Sequence, residues 1–324
     1  MKNFCKPSEE MLNSFIGKDV LDITQYNKEE LEAIINTAAY YEQRLADGAP
    51  INDMAGKIMA SLFFEPSTRT RLSFEAAMLR LGGQVVTVSE NGGPQISSIA
   101  KGESIYDSIK VIDSYCDIIV CRTAIKDSRY DLARVSRVPF INAGDGGGQH
   151  PTQALLDMFT IFKEKESPNG LTISLVGDLK YGRTVHSLAD ALAMYEVKMI
   201  FASPQELTMP QNIIDKLVEK GIQIEESLDL DYAVAHADII YMTRVQKERF
   251  AYLSEYEKVK DKFLLTRDHL KIFKEGAIIM HPLPRVNEID TELDKYKGAA
   301  YFRQSANGLT IRMALLALVT GSVK

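Results

Sequence analysis

Hydroxyl and arginine side chains cluster immediately after an apolar run near the start of the chain. The cluster reads Ser67-Thr68-Arg69-Thr70, and a helical pattern follows it. A helix N-terminus favours anions, because its first N–H groups are unpaired and the helix dipole is positive there. Arg69 and Arg71 in this first turn are unfavourable unless an anion binds. The cluster therefore predicts a phosphate cradle, in preference to a capped helix with solvated arginines.

Other apolar runs also lead into arginines. Arg122 follows one run, Arg183 lies in the loop after a second, and Arg244 follows a third with Gln246 two residues later. One such arginine alone is more often a solvated surface group. Several at the carboxyl ends of parallel strands, which share one edge of a sheet, indicate a site for a ligand with several negative charges.

The loop Gly177–Thr184 nearly matches the nucleotide-binding pattern GxxxxGK[ST] between a strand and a helix. Arg183 stands where that pattern has its phosphate-contacting lysine, and the interior of the loop is bulky. A nucleoside triphosphatase is therefore an alternative that the pattern disfavours.

His150 follows a glycine-rich stretch and precedes a helix that is predicted to begin at about Thr152. A histidine at a helix N-terminus tends to remain neutral and can donate a hydrogen bond to a polarised carbonyl group. The five histidines show no metal-ligand spacing, so the sequence predicts no metal site.

Strand-length apolar runs alternate with helical patterns along the whole chain, which indicates parallel sheets built from βαβ units. The final predicted helix, Gly308–Val319, reads as a core-packing helix. The predicted strands are Lys57–Phe64, Gln84–Val88, Asp117–Cys121, Pro139–Asn142, Leu171–Val176, Lys198–Ala202, Gly221–Glu225, Asp238–Met242 and Ala277–Met280.

The length of 324 residues suggests two domains, and the glycine-rich stretch Asn142–Gln149 is predicted to be a hinge between them. The formal net charge of −6 disfavours a nucleic-acid or membrane-surface role. Neither a signal sequence nor a membrane span is predicted, and the three cysteines fit a reducing cytoplasm. The loop Gly92–Glu103, which contains Lys101, is predicted to be a flexible loop or an active-site lid.

Several long segments, in the right order, resemble the aspartate/ornithine carbamoyltransferase family from about residue 15 onward. Phe64–Glu75 resembles its phosphate-binding motif, and Gln149–Asp157 and His281–Arg285 resemble two further signatures. Val176–Leu188 and Tyr241–Arg249 are similar to its aspartate-specific members. Ornithine carbamoyltransferase is the alternative, but that branch typically has a cysteine in the motif corresponding to His281–Pro284 and a Ser-Met-Gly loop that this chain lacks.

The resemblance implies an α/β fold of two doubly wound parallel-sheet domains with the active site in the cleft between them. Residues 1–149 would bind carbamoyl phosphate, joined by a returning helix at 307–324, and residues 150–306 would bind aspartate. It further implies transfer of the carbamoyl group to the amino group of L-aspartate, an early step of de novo pyrimidine biosynthesis, without a cofactor.

The resemblance also assigns roles to individual residues. The carbamoyl phosphate ligands would be Ser67, Thr68, Arg69, Thr70, Arg122, His150, Gln153 and the backbone carbonyls of Leu283 and Pro284. Arg69, Thr70, Lys101, Arg122 and His150 would be catalytic, and the aspartate ligands would be Lys101, Arg183, Arg244 and Gln246.

Family members are trimers with shared sites, so the resemblance implies a homotrimer in which Ser97 and Lys101 reach a neighbouring subunit. A separate regulatory chain is a possible partner, because the same motifs occur in members with and without one. A non-catalytic binding protein of the same fold is a further alternative, against which Arg69, Lys101, Arg122 and His150 count.

Overall fold

The computed structural model of the chain describes residues 4–89, 102–250 and 252–324. The helices, in chain order, are α1 (Glu9–Asn13), α2 (Lys28–Ala46), α3 (Thr68–Arg80), α4 (Ile105–Ile112), α5 (Arg129–Val135), α6 (Pro151–Lys165), α7 (Arg183–Leu192), α8 (Gln211–Glu219), α9 (Leu230–Ala235), α10 (Leu253–Val259) and α11 (Tyr301–Val319). The strands are β1 (Ile58–Phe63), β2 (Gln84–Ser89), β3 (Ile118–Thr123), β4 (Phe140–Asp145), β5 (Thr172–Val176), β6 (Lys198–Ala202), β7 (Gln223–Ser227), β8 (Ile239–Met242) and β9 (Ile278–Met280). Every predicted strand is confirmed, with small shifts of its ends.

The chain forms two compact units. The first unit comprises the described residues up to Phe159 together with Asn307–Lys324, and the second unit comprises the described residues of Thr160–Ala306. The division falls inside α6 and inside α11, so each of these helices contributes residues to both units.

Each unit contains one parallel sheet, which confirms the predicted α/β class. The first sheet has the strand order β2-β1-β3-β4, and the second has the order β7-β6-β5-β8-β9. In both sheets, the next strands along the chain are added on one side of the first strand, and the later strands are added on its other side. The direction of winding therefore reverses between β1 and β3, and again between β5 and β8. Open α/β sheets bind ligands outside the carboxyl ends of the strands at such reversal points.

The strands beside these reversal points are buried along nearly their whole length. All six residues of β3 and all four of β8 are buried, which is typical of central parallel strands covered on both faces. The edge strands β2 and β7 carry more polar and more exposed residues. The two cores consist of apolar side chains, for example Leu62, Ile119 and Phe140 in the first unit and Val176 and Ile240 in the second.

The predicted glycine-rich hinge takes a different form in the structure. Residues 142–145 complete β4 and are all buried, and only then does the chain turn through Gly146. Gly146 has φ +52°, and a Cβ there would collide with the backbone oxygen of Ala124. This glycine therefore permits a close approach between two strand ends. The division between the units lies farther along, between Phe159 and Thr160.

Helix α11 begins at Tyr301, earlier than the apolar run from Gly308 suggested. In the described part of the chain, none of the helices is long and apolar enough to cross a membrane. Cys5, Cys116 and Cys121 are free thiols.

Candidate active site

The predicted phosphate cradle lies at the start of α3, directly after β1. Ser67 occupies the N-cap position with extended backbone angles, and within the described residues its side chain makes no capping hydrogen bond. Thr68 and Arg69 are exposed, whereas Thr70 is buried. The predicted helix start is confirmed, and its first-turn amides and hydroxyls lie at the carboxyl end of β1, as an anion site requires.

Arg122 lies within β3, since that strand extends to Thr123 rather than ending at Cys121. Its backbone pairs in register with Phe63 of β1, and its carbonyl oxygen accepts a hydrogen bond from the Phe64 amide at 2.8 Å. Nε of Arg122 lies 3.3 Å from a carboxylate oxygen of Glu65. Pairing between β1 and β3 thus places this buried arginine next to the segment that leads into the phosphate cradle.

His150 is buried and immediately precedes α6, where its carbonyl oxygen accepts the Gln153 amide at 3.0 Å. The Gln153 side chain, one turn farther along, is also buried and donates through Nε2 to Asp157 at 2.9 Å. In the first unit, then, Ser67, Thr68, Arg69, Thr70, Arg122, His150 and Gln153 all lie at carboxyl ends of strands or at the helix starts that follow them.

A buried ion-pair cluster holds the turn that leads to His150. Asp145, the last residue of β4, accepts the Gln149 amide at 2.8 Å and pairs with Arg129 at 2.6 Å. Arg129 also pairs with Asp22 at 3.0 Å. Burial pushes the pKa of Arg129 down, but hydrogen bonds to Asp145 and Asp127 raise it above its ordinary value. This ion-pair cluster, which braces the turn before His150, was not predicted from the sequence.

In the second unit, Asp178 organises the loops after β5 and β8. Its amide donates to the Thr243 hydroxyl at 3.0 Å, and its carboxylate accepts the amides of Tyr181 at 2.9 Å and Gln246 at 3.3 Å. Burial raises the pKa of Asp178, while these hydrogen bonds and the charge of Arg244 act in the opposite direction. One carboxylate thus joins the loop that carries Arg183 to the loop that carries Arg244 and Gln246.

The same hydrogen bonds bear on the nucleotide-binding alternative. A phosphate-binding loop must direct its backbone N–H groups toward the phosphates. Here the amide of Tyr181, inside the near-matching segment, is directed at the Asp178 carboxylate. The loop is therefore organised around its own aspartate.

Leu283 and Pro284 lie in a loop braced by a buried histidine–glutamate pair. Nδ1 of His281 accepts the Leu283 amide at 2.7 Å, so its Nε2 carries the proton that faces Glu288, also at 2.7 Å. Burial is the largest single effect and raises the pKa of Glu288, but the interactions with His281 and the backbone hydrogen bonds of Val286 and Glu288 together bring the net pKa below its ordinary value. Leu283 has φ +53° and precedes a cis peptide bond to Pro284. The pair of His281 and Glu288 was also not predicted from the sequence.

Two of the predicted site residues belong to the segment 90–101. Lys101 and Ser97 lie outside the described residues, so their assignments stay predictions. Among residues 4–89, 102–250 and 252–324, no group of three or more His, Cys, Asp or Glu side chains could hold a metal ion.

Comparison with known protein families agrees with the geometry in both units. Residues 18–163 match the family described as aspartate/ornithine carbamoyltransferase, carbamoyl-P binding domain. Residues 169–319 match the family described as aspartate/ornithine carbamoyltransferase, Asp/Orn binding domain. The chain belongs to the aspartate/ornithine carbamoyltransferase family. The resemblance inferred from the sequence motifs is thereby confirmed.

Similar carbamoyltransferases span nearly the whole chain. The aspartate carbamoyltransferase catalytic subunit of Thermococcus kodakarensis is 49% identical over 305 residues, covering 94% of this chain and 97% of that protein. A segment of the multifunctional protein pyr1-3 of Dictyostelium discoideum is 50% identical over 96% of this chain, which corresponds to 14% of that much longer protein.

Solved carbamoyltransferase structures show the same fold. The catalytic subunit of M. jannaschii aspartate transcarbamoylase matches with a TM-score of 0.85 and 48% identity, covering 92% of this chain and 96% of that one. Aspartate transcarbamoylase from Trypanosoma cruzi, in complex with carbamoyl aspartate and phosphate, matches with a TM-score of 0.87 and 39% identity. That match covers 98% of this chain and 99% of the other.

Replacing Arg129 with Met tests the brace behind His150. Asp145 would remain buried without its cation, so we expect a loss of about 3–5 kcal/mol in the free energy of unfolding and a lower kcat from the displaced His150. Urea unfolding and steady-state kinetics measure both. The matched control is Arg134→Met in the same helix, whose side chain is 79% exposed and whose loss should change stability by less than about 0.5 kcal/mol. Coincident unfolding curves for Arg129→Met and the unmodified protein would rule out the brace.

Proposed function

We propose that this chain is the catalytic chain of an aspartate carbamoyltransferase. It transfers the carbamoyl group of carbamoyl phosphate to the amino group of L-aspartate, giving N-carbamoyl-L-aspartate and phosphate in an early step of de novo pyrimidine biosynthesis. The observation that carries the choice of acceptor is the junction at Asp178, which joins the loop of Arg183 to the loop of Arg244 and Gln246. Two neighbouring arginine loops suit the two carboxylates of aspartate better than the side-chain amine of ornithine.

Carbamoyl phosphate binding is assigned mainly to the first unit. The phosphate lies at the start of α3 against Ser67, Thr68, Arg69 and Thr70, where amides and hydroxyls point away from the helix. Arg122 contacts both the phosphate and the carbonyl oxygen. Gln153 and the backbone carbonyls of Leu283 and Pro284 accept hydrogen bonds from the carbamoyl NH₂ group. The two proposed domains are residues 1–149 with 307–324 for carbamoyl phosphate and residues 150–306 for aspartate. His150 and Gln153, at the start of the second range, lie in the first compact unit.

The reaction is direct acyl transfer. The neutral amine of aspartate attacks the carbamoyl carbon, a tetrahedral oxyanion forms, and the C–O bond to phosphate breaks. Thr70, Arg122 and His150 donate to the oxygen where negative charge develops, which lowers the barrier without a covalent intermediate. The departing phosphate is a candidate acceptor for the amine proton. The buried positions of Thr70, Arg122 and His150 support this, since donors act more strongly where water is excluded.

The proposed assembly is a cytoplasmic homotrimer with shared active sites. Free Cys5, Cys116 and Cys121 fit a reducing compartment. The segment 91–98 is rich in glycine and serine and lies just before Lys101, which supports a loop that reaches a neighbouring subunit. Lys101 from that neighbour contacts aspartate, and a separate regulatory chain is compatible with these assignments.

Acceptor choice is tested by offering aspartate and ornithine side by side. We expect turnover of aspartate only. Replacing Arg183 or Arg244 with Ala removes charge-assisted hydrogen bonds worth about 1.5–3 kcal/mol, so KM for aspartate should rise by roughly one to two orders of magnitude. The control is Arg267→Ala in the same unit, an arginine whose side chain is 72% exposed. Faster turnover of ornithine than of aspartate would show that the acceptor is wrong.

His150→Ala tests the oxyanion role. Losing one such donor typically lowers kcat by about 10²–10³-fold, and carbamoyl phosphate should still bind. His236→Ala, an exposed histidine in the second unit, is the matched control and should retain normal kcat. An unchanged kcat in His150→Ala would exclude this role, and tenfold higher activity below pH 6 than at pH 8 would contradict a neutral donor.

Mixed trimers test the shared site. Lys101→Ala and Arg69→Ala should each be nearly inactive alone. If Lys101 acts on a neighbour, dissociating and reassociating the two variants together creates sites that have both residues, about a quarter of all sites in an equal random mixture. A charge tag on one variant confirms that mixed trimers formed. If such trimers stay inactive, Lys101 acts within its own subunit.

A further inference from the structure

Two buried charged side chains, one in α6 and one in the terminal helix, belong to the same unit as Gln153. Gln153 donates through Nε2 to Asp157 on the next turn of α6, at 2.9 Å. Asp157 is fully buried, with 0% exposure, and Arg312 of α11 is 3% exposed. All three residues belong to the first unit. The attraction between Arg312 and Asp157 opposes the effect of burial, which lowers the pKa of Arg312 to about 10. At neutral pH the arginine therefore keeps its charge and compensates the buried carboxylate.

Asp157 determines which end of the Gln153 amide remains available. A side-chain amide has one acceptor oxygen and one donor NH₂ group, and its orientation is set by its hydrogen-bond partners. An ionised carboxylate only accepts hydrogen bonds, so the NH₂ group of Gln153 must face Asp157. The oxygen of Gln153 is then the atom left to meet a ligand, and it can only accept.

Arg312 also contacts the helix that begins at the phosphate cradle. Its guanidinium lies over the ring of Phe74 in α3, 5.1 Å from the ring centroid. Space for it comes from Gly308 one turn earlier, because a Cβ there would collide with a terminal nitrogen of Arg312. Glycine inside a helix costs about 0.5–1 kcal/mol relative to alanine, so this position gives up helix stability to admit the guanidinium. One cation therefore packs against the helix that begins at the phosphate cradle and interacts electrostatically with Asp157, in the helix that carries Gln153.

Carbamoyl phosphate differs from other acyl phosphates in its NH₂ group. This group is a hydrogen-bond donor, and its N–H bonds lie in the plane of the carbamoyl carbonyl, so an accepting oxygen must lie near that plane. We propose that Asp157 and Arg312 are positioning residues that hold the oxygen of Gln153 toward this group, and so make the site selective for an amide-bearing acyl phosphate over acetyl phosphate. The inference rests on the proposed function, because it assumes that carbamoyl phosphate is the bound acyl donor. Acetyl phosphate has the same phosphate and carbonyl groups but presents a methyl group, which leaves the acceptor oxygen unpaired.

The test compares KM for carbamoyl phosphate with Ki for acetyl phosphate, measured as a competitive inhibitor. Asp157→Asn offers one oxygen to two donors, so Gln153 loses its fixed orientation. The ratio of Ki to KM should then fall about tenfold relative to the unmodified enzyme, which corresponds to about 1.4 kcal/mol. KM for aspartate and Ki for inorganic phosphate should stay within about twofold, whereas a general structural defect would shift all of these constants together.

Two further variants keep the test decisive. Asp157→Leu with Arg312→Met removes both buried charges together, a change that buried ion pairs often tolerate. The double variant should fold and show the same loss of selectivity for carbamoyl phosphate over acetyl phosphate. Asp131→Asn, at an exposed carboxylate of α5, should match the unmodified enzyme. A folded variant at Asp157 with an unchanged ratio, or with all constants shifted in parallel, would overturn the proposal. An unmodified enzyme that does not carbamoylate aspartate would instead refute the proposed function, and calorimetric binding of the two acyl phosphates would still test the orientation of Gln153.

Discussion

Parallel pairing of β1 with β3, and of β5 with β8, is the constraint on which the candidate site depends. In each sheet these two strands flank the point where the winding reverses. Their following loops run in opposite directions, so a space opens beyond the strand ends that neither loop covers. Ser67 and Arg122 lie near the reversal point of the first sheet. Arg183 and Arg244 follow the two strands at the reversal point of the second sheet. A shift in the register of β1 against β3 would move the buried Arg122 away from its neighbouring loop, and a shift of β5 against β8 would separate the loops of the half-buried Arg183 and Arg244.

The polar loops at these strand ends are held by buried groups whose charge is compensated locally. Asp145 forms an ion pair with Arg129, and Glu288 pairs with His281. Asp178 accepts hydrogen bonds from backbone amides and is also stabilised by the charge of Arg244. Each compensating contact also fixes a backbone segment that carries a predicted ligand. Donors that are already oriented need no reorganisation when charge develops in a reaction, which is the main advantage of an enzyme site over water.

Apolar runs were sufficient to predict the central strands, because buried parallel strands read as continuous hydrophobic segments. The start of α3 was also predictable, since its cluster of hydroxyls and arginines is local in sequence. The braces were not predictable, because their members are far apart along the chain. Arg129 and Asp22 are separated by 107 positions, and nothing near either residue indicates the other.

Two local sequence patterns have features in the structure that their interpretation from the sequence did not include. The glycines after Asn142 suggested a hinge, but Gly146 serves a close approach between strand ends. The run from Gly308 to Val319 was interpreted as a plain core helix, although Arg312 is its single charged residue. A lone arginine in an apolar helix signals a buried acidic partner, and that signal would have led to Asp157.

The position of α11 has a consequence for the order in which the protein acquires its structure during synthesis. Domains commonly fold as they leave the ribosome, with the N-terminal one first. Here the first unit includes Asn307–Lys324 from the far end of the chain. Arg312 therefore becomes available to the buried carboxylate of Asp157 only after the second unit has been translated. The nascent first unit must therefore persist as an incomplete intermediate with an uncovered apolar surface. The second unit, contiguous from Thr160 to Ala306, carries no such delay, and the protein is expected to complete its later half before its earlier one.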